Sequence, residues 1–133
     1  MSNKTPWKDT ENSALIALYF EMLDYAIPGK QYSKAGLIRI AMAPPLVGHP
    51  PPAQDAPFAS KLSERTRGSI EFKLMNAAAC HADLDANATT MHGFGYRAMP
   101  NYQASLKLAM ADKLAERTRR DQVSYLVANE PAA

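Results

Sequence analysis

The chain has 133 residues, 47% of them apolar and 21% charged, and a net charge of +2. That is enough for one domain with its own modest core, and it excludes a strongly basic nucleic-acid coat while leaving room for a local basic face. Cys80 is the only cysteine, which excludes an intramolecular disulfide and a cysteine-rich zinc site.

From the N-terminus, Met-Ser-Asn-Lys-Thr-Pro-Trp7 lacks the apolar segment of a secretory signal. No run approaches the ~20 apolar residues that span a bilayer. A cytoplasmic protein is therefore expected, with one domain over 1–128 and a short tail, 129–133. Thr5-Pro6 has the pattern of a helix start, with Asp9 or Thr10 as alternative caps one turn later. Leu15, Ile16, Leu18, Tyr19, Met22, Leu23 and Ala26 then recur at helical spacing until Pro28-Gly29 stops the run. Trp7 is expected to pack back on this helix. Ser33 caps a second helix to about Met42, with Leu37, Ile38 and Ala41 inward.

Ala43–Pro57 holds six of the ten prolines and is expected to be an extended surface insertion, with His49 solvated. Phe58–Ser63 suggests a short helix. Thr66 or Ser69 caps the longest confident element, to about Leu84, with Ile70, Leu74, Ala77, Ala78 and His81 on one face and Phe72 counted among its packing residues. A polar loop follows over Asp85–Pro100, and Asn101 caps a last helix with Leu106, Met110 and Leu114 inward. Whether that helix continues unbroken through Glu116–Asp121 is left open by the pattern. No segment alternates with period two, so the expected class is all-α, a compact bundle of about four to five helices.

Catalytic patterns are missing. Gly93-Phe-Gly95 follows no strand and is no dinucleotide fingerprint. His81, Asp83, Asp85 and His92 match no established zinc spacing. Cys80 falls in an Ala-rich helix expected to be buried rather than at an exposed nucleophile turn. The expectation is a protein without enzyme activity, metal or cofactor.

The basic residues say more. Arg65, Arg67 and Lys73 lie at and just after a helix start, where free backbone N–H groups and the helix dipole favour phosphate. Ser69, Lys73 and Asn76 share one helical face, and in a major groove a Lys can contact guanine and an Asn adenine. A solvated helix face partly neutralised by Glu71 is the competing explanation.

Trp7, Tyr19-Phe-x-Met-Leu23, Tyr32-Ser-Lys34 with Arg39, Gly68-Ser-Ile-Glu-Phe-Lys73 with Asn76, Gly95-Tyr96 and Asn101-Tyr-Gln103 occur in an order that resembles a helical module. That module stands at the N-terminus of bacterial proteins carrying a NO VEIN-type C-terminal domain or other restriction-nuclease-like domains. The likeness covers about residues 7–110. It implies a nucleic-acid-binding or target-sensing role in a restriction setting, and its first three helices look like a helix-turn-helix or Myb arrangement. Leu74-Met75 stand where the family carries a polar stretch, and the chain is expected to act without the family's effector domain. A second candidate surface lies in Gly93–Gln103, with Tyr96, Arg97, Asn101, Tyr102 and Gln103.

Two readings follow from the sequence. The first is a small DNA-binding module, accessory to a nuclease or regulatory, contacting DNA through Arg65, Arg67, Ser69, Lys73 and Asn76. The second is a protein-interaction or homodimerisation module using the Met- and Ala-rich last helix or the proline-rich segment. A nucleotide or small-molecule sensor built on Gly93–Gln103 ranks third.

Overall fold

The computed structural model describes residues 6–44 and 56–128. Within them the chain forms α1 (Asp9–Ala26), α2 (Lys34–Met42), α3 (Arg67–Leu84), a 3₁₀ turn (Met91–Phe94) and α4 (Ala104–Ala128). The described residues contain no strand, so the fold is an all-α bundle of four helices. No helix among them is long and apolar enough to cross a membrane. The expected cap at Thr5, most of the proline-rich insertion with His49, and the tail 129–133 lie outside the described residues.

The bundle is organised around α1. Ten of its 18 residues are buried, on more than one side, because α2, α3, α4 and the 3₁₀ turn all pack against it. The helix begins at Asp9, where the Glu11 carboxylate accepts the Lys8 N–H at 2.9 Å and so satisfies one orphan donor. It ends where Gly29 turns left-handed (φ 77°) and Lys30 N–H donates to the Tyr25 carbonyl, the six-residue bond of a Schellman stop. Ser33 and Thr66 cap α2 and α3 through bonds from Gly36 N (2.9 Å) and Ser69 N (3.1 Å).

Three expectations are corrected. Phe58–Ser63 is not a helix but a series of turns. Ser60 has φ 59°, and the Ser60 and Leu62 amides donate to the Ile40 and Ala41 carbonyls at the end of α2 instead of to their own segment. Those bonds seat Phe58 and Leu62 in the core. Asn101 does not cap α4. It takes a left-handed conformation (φ 70°), which Asn tolerates, and the Gln103 carbonyl accepts the Leu106 and Lys107 amides just ahead of the helix. Phe72 points outward and is 48% exposed, so it is not a packing residue.

The polar loop after α3 hides two apolar plugs, Met91 and Tyr96, both buried. Met91 N–H donates to the Tyr19 hydroxyl (3.2 Å). That hydroxyl is also 2.9 Å from His81 Nδ1 and, with its oxygen already accepting, is placed to donate its proton there. A buried Tyr–His pair thus ties α1, α3 and the 3₁₀ turn together. Helix α4 runs unbroken to Ala128. Leu106 and Met110 sit in the core, and Arg117 is paired with Asp24 at 2.7 Å and stacked 4.3 Å over the Phe20 ring.

Candidate nucleic-acid interface

The basic residues around the start of α3 do different jobs. Arg65 is structural. Its guanidinium grips Glu11 with two bonds of 2.7 and 2.8 Å, also donates to the Pro6 carbonyl, and lies 4.8 Å over the Trp7 ring. Both side chains of the pair are almost covered. Glu11 is held below its ordinary value, chiefly by the hydrogen bond from Arg65 against the opposing cost of burial, and Arg65 is held above its own by the same bond. This pair staples the N-terminal end of α1 to the chain entering α3.

Asn76 is buried as well, only 3% exposed, and its Oδ1 finds no hydrogen-bond donor among the described residues. The trio Ser69, Lys73 and Asn76 is therefore not presented together: Ser69 and Lys73 lie at the surface edge while Asn76 faces inward. The helical arithmetic was sound, but α3 turns that face toward the bundle.

Lys73 stands at a meeting point. Its ammonium lies 5.4 Å from the Trp7 ring centroid and 3.4 Å from Gln103 Oε1, so the α3 residues and the 101–103 segment, far apart in sequence, form one surface. Partial burial, then repulsion from Arg65, lowers the Lys73 pKa. A partly desolvated cation of this kind gains by meeting an anion. Arg67 is exposed at the first position of α3 and pairs only loosely with Glu71, at 3.6 Å. Phe72 projects between Glu71 and Lys73. One turn earlier stands Gly68, where an added Cβ would meet nothing within 4 Å, so the approach to that part of α3 is open.

The remaining residues of the second surface split up. Arg97 and Asn101 are exposed. Tyr96 is buried with its hydroxyl against Met22 Sδ, its ring carries the Lys34 ammonium at 4.4 Å, and burial pushes its phenol up to about 12. Tyr102 donates to the Asp83 carboxylate, which raises its pKa. Phe72 and Trp7 are the site residues the charge pattern alone did not bring forward. A large aromatic on the polar side of α3 was the available signal.

The potential metal ligands go separate ways. His81 bonds Tyr19, Asp83 accepts from Tyr102, Asp85 accepts the Asn87 amide, and His92 Nδ1 lies 3.2 Å from the Tyr96 carbonyl. Among the described residues no three such side chains gather into a metal site. Burial pushes the Cys80 thiol up to about 11, far from a reactive thiolate. No family model matches the chain, and neither a curated protein nor a solved structure does.

Proposed function

We propose that this chain binds nucleic acid, and specifically DNA, through the N-terminal half of α3 together with the 101–103 segment, as a non-catalytic accessory or regulatory module. The observation that carries the reading is the placement of Phe72: a half-exposed aromatic ring on the outer side of α3, with Arg67 at the helix start and Lys73 beside it, next to Gln103. Cations that meet phosphate, alongside a ring on which a base can stack, are the parts of a sequence-tolerant nucleic-acid surface. The helix N-terminus adds its dipole. Inward-facing Asn76 supports backbone contact and stacking over base-edge readout in a major groove. The resemblance of Gly68–Lys73 and Asn101–Gln103 to modules joined to nuclease-like domains supports the same ligand class and a restriction-type setting.

Phe72→Ala tests this reading directly, because the ring supports little of the core. Fluorescence anisotropy with labelled single-stranded and duplex DNA is expected to show binding by the wild type and a loss of about 1–3 kcal/mol for the variant on the single strand. Its thermal midpoint should stay close to that of the wild type. Equal affinity of the two proteins would remove Phe72 from the interface.

A further inference from the structure

The outer face of α4 carries an unexplained pattern. Leu108 and Leu126 are among the most exposed large apolar residues described, at 67% and 66%. They are 18 residues apart, about five turns, and so lie on one line along the helix. Leu106, Met110 and Arg117 hold the opposite side of α4 to the bundle, which leaves this line facing solvent. Between the leucines one flank carries Asp112 and Glu116 in its first half and Arg119 and Val123 in its second. The other flank carries only Ala111, Ala115, Thr118 and Gln122.

We propose that two copies of this chain associate through these faces, their α4 helices antiparallel about a two-fold axis at the level of Arg117. The sequence is self-complementary in that arrangement and in no parallel one. Leu108 of each copy meets Leu126 of the other, while Asp112 and Ala115 come level with Gln122 and Arg119 on the opposite edges of the seam. Antiparallel pairing about a perpendicular two-fold brings like flanks together, so each Arg119 falls between Asp112 and Glu116 of its twin. A parallel pair would bring opposite flanks together and take each Arg119 away from the twin's acidic residues. The small flank allows the helices a close approach.

The groove between α1, α4 and the turn segment adjoins the same flank. Its floor includes Ala17, Pro57 and Ala109, and its rim mixes Asp9, Asp112 and Glu116 with Lys61 and Lys113, the last bonded to Glu116 at 3.1 Å. Val123 and Val127, 59% and 69% exposed, are carried by the twin's helix toward that floor. Isologous contacts of this kind close on themselves as a dimer and do not extend into fibres. The surface is independent of the α3 site, and a dimer would present two such sites to one nucleic acid.

Sedimentation equilibrium over a wide concentration range tests this. The wild type is expected to reach a dimer, and Leu126→Glu and Arg119→Glu each to raise its dissociation constant at least about tenfold. Circular dichroism and thermal midpoint should be unchanged, since both side chains lie outside the core. Adding Asp112→Arg and Glu116→Arg to Arg119→Glu reverses both signs and is expected to restore the dimer. A wild type that stays monomeric, a dimer indifferent to Leu126→Glu, or a reversed triple variant that remains monomeric would each overturn the proposal.

Discussion

Arg65 shows how one side chain changes meaning between sequence and structure. In the sequence it is one of three cations near a helix start. In the fold it is bound to Glu11, 54 positions earlier, and covers Trp7. Removing it strands a nearly buried carboxylate, so Arg65→Ala is expected to cost about 3 kcal/mol in denaturant unfolding, at the low end for a buried pair because both groups keep slight solvent contact. Arg67→Ala, at an exposed and loosely paired position, is expected to stay within about 0.5 kcal/mol of the wild type. A DNA-binding test must therefore leave Arg65 in place, or lost binding would only report lost structure. Protons bring out the same contrast. His81 is held below its ordinary 6.5 by burial and the Arg117 charge, with Asp85 opposing, and its Nδ1 lies 2.9 Å from the Tyr19 hydroxyl. A depressed imidazole contributes full stability above 6.5 and loses it as pH falls below that value, since the unfolded chain then binds the proton more readily. The Glu11 pair is complete above 4.5 and is lost as pH falls through the lowered folded value. The thermal midpoint should thus fall in two stages, and His81→Gln should flatten the first while leaving the second.

The helices whose ends are set by neighbours in sequence were legible from sequence. Ser33 and Thr66 cap where their side chains reach an amide three residues on, and Pro28-Gly29 stops α1 because Gly29 accepts φ 77°. Gly29→Ala is expected to cost about 1 kcal/mol in unfolding measurements, the strain of a Cβ in that conformation. Elements shaped by distant partners were not legible. The Ser60 and Leu62 amides bond the end of α2, so an apolar run that scans as helix becomes turns. Met91 is buried in a polar loop because its amide meets Tyr19, 72 positions away. The candidate site divides along the same line. The basic start of α3 could be read locally, but the inward turn of Asn76 and the joining of Lys73 to Gln103 follow from how α3 and α4 lie on α1. Helix α4 itself changes character after Arg117, beyond which its residues are exposed through Val127. In dilute solution, amide exchange is expected to be slow up to that residue and faster beyond it, with protection over 119–127 rising as concentration drives pairing.

At the scale of the whole molecule, the chain assigns separate tasks to separate faces. The interior of α1 holds the bundle, and the Arg65–Glu11 and Tyr19–His81 contacts lock the helices that meet on it. In the proposed reading, the start of α3 presents Arg67, Phe72 and Lys73 to nucleic acid and the outer face of α4 pairs with a second copy, where Phe72, Leu108 and Leu126 are exposed. A net charge of only +2 means that any affinity for DNA must come from this local cluster and not from the overall field. The direct measurement is the salt dependence of duplex DNA binding by the wild type and by Arg67→Ala/Lys73→Ala, each with its unfolding curve. Binding that weakens steeply with salt in the wild type, and a variant whose logarithmic slope is smaller by about two contacts at nearly unchanged stability, is the expected result. A wild type with no salt-dependent affinity for DNA, or a folded variant that binds with the same slope, would contradict it.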